Sequence, residues 1–526
     1  MTPLPRQEAD ATLAHALQAH LERQCGAGVE LIETHVSWVL LAGRHAYKLK
    51  KRVHWQFIDF RALADRRHAC EEEVRLNKRF APTLYLGVVP VSGSDEDPVL
   101  AGPGEPIDYV VKMKRFPTRT LLSVQLEQRR LRRAQIDRLA GWVAGDHGGA
   151  PRLCVEEPYS RPEEMLQSVL TVLTQLQALD PAQPTTDLRA WFELQARALV
   201  PHWCRRRESG CVRELHGDLH LENIVQWGDT LAAFDCIEFD PRLRWIDVMR
   251  DLAFLTMDLR ARGRPDFAWR LLNAYLEATG DYDGLRVLRF HEAERAAVRA
   301  LVARLKSKAA APGSTSLRPD YLALARELCE PMDARLLITH GVSGSGKTAV
   351  SQALLECTGA IRLRSDVERK RLFGLPALQH SGRVALRDGL YGKEATDRTY
   401  EQLRCLARAA LEAGWRVIID AAFLRRDQRD AFRALADEMG LPFTILDCTA
   451  QPETLLERVR LRSAAAKDAS DADEHVLERQ LASYEPLGAD ELRNALQVHT
   501  DAPVNVNTLG GRWLAVERVE RLVCTD

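Results

Sequence analysis

The feature that most constrains the fold is a glycine-rich segment at residues 341–348, Gly-Val-Ser-Gly-Ser-Gly-Lys-Thr. It matches the pattern G-x-x-x-x-G-K-[ST] and lies between the apolar stretch RLLITH and a predicted helix that begins near Lys347. In that context the glycines let successive backbone N–H groups point at phosphate oxygens, and the helix N-terminus adds positive potential. The segment therefore predicts a phosphate-binding loop that follows a strand.

The pattern assigns Lys347 to the β- and γ-phosphates of a bound nucleotide and Thr348 to magnesium. The other predicted nucleotide contacts in the loop are Gly341, Ser343, Gly344, Ser345 and Gly346. After Pro331 the chain alternates apolar strands with helices, and the strands are RLLITHG, AIRLRS, WRVIIDA and PFTILDC. Such alternation is typical of a parallel sheet covered by helices.

The chain before Pro331 has a different pattern. Apolar periodicity predicts helices over 12–24 and 61–80, a meander of antiparallel strands over 30–51 with a tight turn near Gly43, and further strands over 84–91 and 108–116. Residues 120–210 are mostly helical in pattern, 310–318 have linker composition, and 320–330 predict another helix.

The composition limits the classes of protein that this chain could form. Its 526 residues predict about three or four compact units at ~150 residues each. The formal net charge of -1 excludes a global basic field for nucleic acid or anionic lipid, so nucleic-acid binding is not expected. The 11 cysteines contain no C-x-x-C pair and indicate reduced thiols. Without a leader or an apolar run of membrane length, a cytoplasmic location is expected.

A second chemical centre precedes the glycine-rich loop. Residues 216–225 are His-Gly-Asp-Leu-His-Leu-Glu-Asn-Ile-Val, and Phe-Asp-Cys-Ile-Glu-Phe-Asp follows at 234–240. Phosphoryl transfer to a hydroxyl needs a carboxylate near the attacking oxygen, oxygen ligands for the metal, and a cation on the phosphates. A loop with an Asp and an Asn five residues apart, followed by a strand that ends in Asp, supplies the first two.

This stretch resembles the catalytic loop H-G-D-x-x-x-x-N of the aminoglycoside phosphotransferase and choline kinase branch of the protein-kinase-like fold. The resemblance implies that Asp218 is the catalytic base, that Asn223 and Asp235 bind magnesium, and that His216 supports the loop. Glu238 is a further candidate for metal or substrate. Asp247 and Asp251 are candidates to brace the loop, with helix capping and surface exposure as the alternatives.

The same resemblance requires a strand lysine on the phosphates and a helix glutamate that holds it. Lys48 and Lys50 share a strand face, and Lys48 is preferred because Ala46-Tyr47-Lys48 fits the A-x-K spacing of kinases. The alternative is a solubilising lysine on an edge strand. Glu73 is chosen over its neighbours because it precedes Val-Arg-Leu-Asn, as in related sequences. Ser37, in a short polar turn, is a candidate phosphate contact, and 110–116 would be the hinge beside adenine.

The C-terminal part resembles small P-loop kinases of the gluconate kinase, polynucleotide kinase and zeta-toxin type. The resemblance implies that Asp366 is the base for the acceptor hydroxyl, with Arg369 as a substrate contact, and that Asp420 organises the metal. Arg458 and Arg462 match an R-x-x-x-R lid that clamps the transferring phosphate, with 464–473 as its flap.

Each of these assignments has a structural alternative. Ser365-x-x-Glu368 is also a capping box, and Asp420 could open the next helix. Arg458 and Arg462 could form a salt-bridged helix surface with Glu457.

The predicted architecture is an α+β protein-kinase-like bilobal domain followed by an α/β P-loop kinase domain with a parallel sheet. Its expected parts are a small lobe at 1–115, a large lobe with the catalytic loop at 116–330, and a P-loop domain at 331–526. This order resembles bacterial proteins described as bifunctional aminoglycoside phosphotransferase/ATP-binding proteins. The resemblance implies an ATP- and Mg²⁺-dependent phosphotransferase that acts on a hydroxyl of a small molecule. A nucleic-acid end kinase or repair factor, and an ATP-sensing regulatory half, are the alternative hypotheses.

Overall fold

A computed structural model describes residues 6–55, 58–154, 156–309, 319–375, 392–465 and 473–517. By contacts the chain divides into two compact units. The first comprises Met1–Arg132, Gly145–Ala178 and Phe192–Asp258, and the second comprises Arg133–Ala144, Leu179–Trp191 and Leu259–Asp526. The predicted linker 310–318 lies outside the described residues.

The strands in chain order are β1 Glu30–Glu33, β2 Ser37–Ala42, β3 His45–Lys50, β4 His54–Trp55, β5 Ile58–Asp59, β6 Tyr85–Gly93, β7 Pro98–Leu100, β8 Asp108–Lys114, β9 Val212–Glu214, β10 Ile224–Trp227, β11 Thr230–Ala233, β12 Trp245–Asp247, β13 Leu336–His340, β14 Ile361–Arg364, β15 Val417–Asp420, β16 Phe443–Thr449 and β17 Ala495–His499.

The α-helices are α1 Arg6–Cys25, α2 Leu63–Phe80, α3 Leu122–Glu127, α4 Arg133–Gly149, α5 Pro162–Leu179, α6 Thr186–Glu208, α7 Pro241–Arg244, α8 Val248–Ala261, α9 Pro265–Thr279, α10 Leu285–Ala309, α11 Tyr321–Cys329, α12 Lys347–Thr358, α13 Ser365–Leu372, α14 Lys393–Glu412, α15 Arg426–Met439, α16 Pro452–Ala465, α17 Glu474–Ala482, α18 Ala489–Leu492 and α19 Val506–Leu514. No helix among these described elements is both long and apolar enough to cross a membrane.

The first unit is built on a six-stranded sheet in the order β1-β2-β3-β8-β6-β7, with every neighbouring pair antiparallel. The predicted meander and its turn at Gly43 are confirmed, since β2 pairs with β3 directly across that turn. β3 lies between β2 and β8, so the interpretation of its lysines as edge-strand residues is wrong. Helix α2 packs on β6 and β8 through a buried face that includes Cys70 and Leu76.

The second unit contains a five-stranded parallel sheet in the order β14-β15-β13-β16-β17. All residues of the central strand β13 are buried, as expected for a parallel strand covered on both faces. The glycine-rich loop follows β13 directly and leads into α12. Gly341 begins this loop at φ +136°, where a Cβ atom would lie 2.4 Å from the carbonyl oxygen of Cys448. The loop can therefore turn away from the strand here only with glycine.

The central strand gives a test of the second core. Leu337 is fully buried among Ile418 and Leu446, so Leu337→Ala removes apolar contacts and leaves a cavity. We expect a loss of about 2–5 kcal/mol of unfolding free energy in this unit, seen as a lower melting temperature in calorimetry. Leu461→Ala is the matched control, because Leu461 is 64% exposed on α16. Equal shifts for both variants would contradict this account of the core.

Candidate functional site

The loop between β9 and β10 brings together two of the predicted residues of the first unit. The Asn223 side-chain amide donates to Asp218 Oδ2 at 3.1 Å and to the Asp218 carbonyl at 3.0 Å. The Asp218 side chain keeps 35% of its surface exposed, and His220 Nε2 lies 3.3 Å from Oδ2. Asp218 is therefore a carboxylate in a fixed orientation that solvent or a substrate can still reach.

Buried polar groups hold this loop from behind. Gly217 adopts φ +81°, and a Cβ atom there would lie 2.4 Å from the Leu243 carbonyl oxygen. The Gly217 N–H donates to Asp251 Oδ1 at 2.9 Å, and His216 Nε2 lies 3.0 Å from the Phe234 carbonyl. Asp251 thus contacts the loop that it was predicted to brace.

Asp247, the other residue predicted to brace the loop, has different contacts from Asp251. It accepts two hydrogen bonds from Arg206, at 2.7 and 2.9 Å, and one from the Met249 N–H at 2.8 Å. These contacts match the helix-capping alternative for Asp247, because Met249 is in the first turn of α8.

One carboxylate, Glu73 on α2, contacts both candidate lysines of β3. Lys48 Nζ lies 2.9 Å from Glu73 Oε1 and also contacts Asp235. Lys50 contacts Glu73 Oε2 and Glu238. Glu73 is fully buried. Lys48 is therefore the lysine that reaches toward Asp235 on the loop after β11, whereas Lys50 joins Glu238 in the interior.

The charges of this cluster shift each other's ionisation. Burial disfavours a charged Lys48, but the carboxylates of Asp235 and Glu73 raise the pKa of its ammonium well above the ordinary value. Burial also disfavours a charged Asp235, yet Lys48 lowers the pKa of that carboxyl. For Glu238 burial outweighs the lysine charges and raises the pKa. Lys48 and Asp235 therefore form an ion pair at neutral pH.

Two residues that the sequence analysis missed hold Asp235 in place. Asp235 has a positive φ of 64°, and its N–H donates to Tyr85 Oη at 3.1 Å. The next N–H, of Cys236, donates to Asn77 Oδ1 at 3.0 Å. Asn77 is a fully buried amide on the same face of α2 as Glu73, and the sequence alone does not show that burial.

The predicted phosphate contact Ser37 is fully buried in β2, opposite Lys50. Its hydroxyl oxygen has no hydrogen-bond partner among the described residues. The contact between Ser37 and phosphate stays a prediction.

The second unit gathers most of its predicted residues around one cavity of about 370 Å³. The predicted residues that line it are Ser343, Lys347, Thr348, Asp366, Arg369, Asp420 and Arg462. Further polar residues along the wall are Arg364, Lys393, Asp397, Arg425, Arg479 and Gln480. The cavity combines carboxylates with an excess of cations, which suits a bound polyphosphate.

The backbone of the glycine-rich loop is held by several side chains. Lys347 Nζ donates to the Val342 carbonyl at 2.8 Å, and burial lowers the pKa of its ammonium. The Ser343 N–H donates to Gln480 Oε1 of α17 at 2.7 Å. Gln480 was not predicted, since no motif marks it. The Gln480 amide oxygen thus accepts a hydrogen bond from a backbone N–H group that, in phosphate-binding loops, donates to a phosphate oxygen.

Two further loop residues, Ser345 and Gly344, are held by their carbonyl groups. Thr500 Oγ1 donates to the Ser345 carbonyl at 3.0 Å, and Gly346 immediately precedes α12 with φ +86°. The Gly344 carbonyl accepts from Arg458.

Asp366 lies in the first turn of α13 and lines the cavity. The N-cap of this helix is Arg364, which makes no side-chain capping bond. Glu368 contacts Arg371. The alternative that Ser365 and Glu368 form a capping box is therefore wrong, because Ser365 is already helical.

Asp420 is the buried carboxylate at the end of β15, with 6% of its surface exposed. Its Oδ2 lies 3.8 Å from Arg364 Nε and 4.0 Å from Arg362 Nη1, and it has no hydrogen-bond partner within the described residues. The next helix begins at Arg426, six positions after Asp420, and its N-cap is Arg425, so Asp420 does not cap it. An orphaned carboxylate oxygen beside Thr348 in one cavity fits a magnesium ion.

Both units thus offer oxygen donors for magnesium, Asn223 and Asp235 in the first and Thr348 and Asp420 in the second. No cluster of three or more His, Cys, Asp or Glu residues suited to a metal occurs among the described residues.

The two predicted lid arginines have different surroundings. Arg458 donates to the Gly344 carbonyl at 3.2 Å and to Thr500 at 2.8 and 2.7 Å, and it is not among the residues that line the cavity. Arg462 does line the cavity. Most of the predicted flap, 466–472, lies outside the described residues.

Three comparisons relate the chain to known proteins. Residues 336–487 match the family model described as "AAA domain". Together with the observed parallel sheet, this match confirms the predicted P-loop fold of the C-terminal part.

The chain is also similar to uncharacterized proteins of Mycobacterium tuberculosis and Mycobacterium bovis. Each is 28% identical over 446 residues, which cover 84% of this chain and 88% of the relative.

Among solved structures, the chain is similar to a choline/ethanolamine kinase family protein from Mesorhizobium loti, with 14% identity, 60% of this chain and 95% of that chain covered, and a TM-score of 0.35. It is also similar to a sugar kinase from Janibacter sp., with 22% identity, 35% of this chain and 96% of that chain covered, and a TM-score of 0.26.

His216 gives a pH-dependent test of the first unit. Burial lowers the pKa of His216, so the folded state holds the ring neutral. Its contribution to stability is then complete above the unfolded pKa of about 6.5 and is lost as the pH falls further. We expect unfolding free energy to decrease from pH 7 to 5 by up to ~1.4 kcal/mol per pH unit from this group, and the slope to shrink in His216→Asn. Denaturant titrations at each pH measure it.

His68→Asn, on the exposed side of α2, is the control and should retain the wild-type slope. An unchanged slope in His216→Asn would show that another group controls the effect.

The contacts of Arg458 and Arg462 predict different defects. Arg458→Gln should weaken the ADP binding predicted for the glycine-rich loop, because the variant loses one hydrogen bond to the Gly344 carbonyl and two to Thr500, which itself donates to the Ser345 carbonyl. Arg462→Gln should leave ADP affinity near wild type but slow ATP turnover, by about 10²-fold if it stabilises the transferring phosphate. Calorimetric ADP titration and ATP hydrolysis assays separate the two effects. The same defect in both variants would refute the distinction.

Proposed function

We propose that this protein is an ATP- and Mg²⁺-dependent phosphotransferase that moves the γ-phosphate to a hydroxyl group of a small molecule, and that it has two ATP sites. The observation that carries the proposal is the cavity of the second unit, where Lys347, Thr348 and Asp366 meet Asp420 and Arg462. A phosphate loop, a carboxylate for the acceptor, a buried metal carboxylate and an arginine are the parts that phosphoryl transfer requires.

In the second unit, backbone N–H groups and Lys347 hold the phosphates, and Asp366 orients the acceptor hydroxyl. As the acceptor oxygen bonds to the γ-phosphorus, the bond from that phosphorus to the bridging oxygen breaks and ADP leaves. The hydroxyl proton passes to the Asp366 carboxylate. Arg462 neutralises charge on the moving phosphoryl group. Magnesium, held near Thr348 and Asp420, would neutralise charge on the β- and γ-phosphates.

The first unit supports a second site of the same chemistry. The Lys48–Glu73 ion pair is formed, Lys48 contacts Asp235, and Asn223 orients the partly exposed Asp218. Asp218 would accept the proton of an acceptor hydroxyl, while Asn223 and Asp235 would hold magnesium. For the substrate we propose only a class, a small molecule that carries a hydroxyl group.

The test uses the full-length protein and labelled ATP. We expect wild type to transfer label from γ-labelled ATP to a compound in a small-molecule extract. Lys347→Ala should abolish transfer by the second unit, and Lys48→Ala or Asp218→Asn should abolish transfer by the first, each by at least ~10³-fold. Chromatography of the labelled products shows which compound each unit phosphorylates.

Lys51→Ala is the matched control for Lys48→Ala, because Lys51 follows β3 and contacts Glu33 at the surface. If both units bind ATP but all transfer depends on one lysine, the other unit is a sensor. Label on nucleic-acid ends alone would favour the end-kinase alternative. No transfer and no ATP binding in wild type would reject the proposal.

A further inference from the structure

Helix α9 belongs to the second compact unit and contacts the P-loop sheet directly. Its residues, 265–279, precede the glycine-rich loop by more than 60 positions and lie within the predicted large lobe. The Asn273 amide donates to the Ala360 carbonyl at 3.0 Å and accepts from the Arg362 N–H at 2.7 Å. β14 is an edge strand, so this side chain takes the place of a neighbouring strand.

An ion pair joins α9 to the helix after the phosphate loop. Arg270 donates to Glu356 of α12 at 2.7 Å, and the Glu356 side chain is only 7% exposed. Trp269 packs against the core formed by α12 and the sheet. The position of the glycine-rich loop and its helix is therefore tied to α9.

The last turn of α9 reaches the metal side of the cavity through Glu277. Glu277 Oε1 accepts from Arg362 Nη2 at 2.8 Å, and Oε2 lies 3.6 Å from Arg364 Nη1. The same arginines lie 4.0 and 3.8 Å from Asp420 Oδ2. Arg362 also donates to the Thr348 carbonyl at 3.3 Å. Two carboxylates, Glu277 and Asp420, thus compete for two arginines.

We propose that Glu277 is a positioning residue of the P-loop site, which holds Arg362 and Arg364 away from Asp420 and so keeps that carboxylate available for Mg²⁺. This inference rests on the proposed ATP and Mg²⁺ site. A buried guanidinium that loses its carboxylate partner is left as an uncompensated charge at a high cost, and pairing with a neighbouring carboxylate lowers that cost. In a variant without the Glu277 charge, Arg362 and Arg364 move the remaining distance to Asp420. They then pair with Asp420 Oδ2, which in wild type has no hydrogen bond among the described residues.

The test measures magnesium dependence of nucleotide binding, not turnover. Full-length Glu277→Gln is compared with wild type, both carrying Lys48→Ala to silence the first unit. The readout is the Mg²⁺ concentration that half-saturates the ADP-induced rise in melting temperature. We expect this concentration to increase about 10-fold, in the range typical for residues that orient a metal ligand.

Controls separate positioning from a general loss of structure. Glu356→Gln removes another buried carboxylate of this interface, which among the described residues contacts Arg270, Arg133 and Gln352 and not the two arginines beside Asp420. The Mg²⁺ requirement of this variant should stay at the wild-type value. In the Asp420→Asn background, Glu277→Gln should cause no further increase, because the two residues act through one path.

Glu277→Asp keeps the negative charge on a shorter side chain and should give a Mg²⁺ requirement between those of wild type and Glu277→Gln. If Glu277→Gln fails to fold, Glu277→Asp tests the proposal in its place. An unchanged Mg²⁺ requirement in the folded variant, or an equal effect in the Asp420→Asn background, would overturn the proposal. Wild type should show a Mg²⁺-dependent rise in melting temperature with ADP, and Lys347→Ala should abolish that rise. If wild type shows no such rise, the proposed ATP site itself is wrong.

Discussion

The arrangement of the first unit depends on one buried carboxylate that binds two lysines. Glu73 has no exposed surface and contacts Lys48 with one oxygen and Lys50 with the other. Removing one partner of such a buried pair typically costs about 3–5 kcal/mol, because the charge that remains cannot be solvated. Glu73 therefore fixes how α2 lies on β3.

The same helix also sets the position of the loop that carries Asp235. Asn77, one turn after Glu73, accepts from the Cys236 N–H, and Tyr85 accepts from the Asp235 N–H. The backbone at Asp235 is thus held by α2 through Asn77 and by β6 through Tyr85. The second unit has a corresponding arrangement, in which the central strand and α12 hold the glycine-rich loop between them. In both units buried contacts hold the charged groups in fixed orientations.

Local pattern was sufficient to predict the elements and the residues that belong to motifs. The meander, α2 and four of the five strands of the P-loop sheet follow from apolar periodicity, whereas β17 was not predicted. Asp218 with Asn223 follows from a short contiguous motif. The predicted pair Lys48 and Glu73 meets at 2.9 Å, while the phosphate contact of Lys48 stays a prediction. Lys50 shares that carboxylate, which strand periodicity alone could not show.

The residues that were missed have partners far away in the sequence. Asn77 and Cys236 are 159 positions apart, and Ser343 and Gln480 are 137 apart. Arg458 and Arg462 share a helix face by spacing, but the position of α16 against Gly344 decides which one reaches the cavity. Such contacts depend on tertiary packing, and one sequence contains no local signal for them.

The side chain of Asn273 on the edge of β14 has a consequence for how such a chain can change during evolution. The edge strand β14 of the P-loop sheet is covered by a helix that lies well upstream in the sequence. The segment after residue 330 therefore cannot be exchanged as an independent domain. A recombination event that joined it to a different partner would leave the border strand open to pairing with another polypeptide. Inheritance of the two stretches as a single gene keeps that border closed.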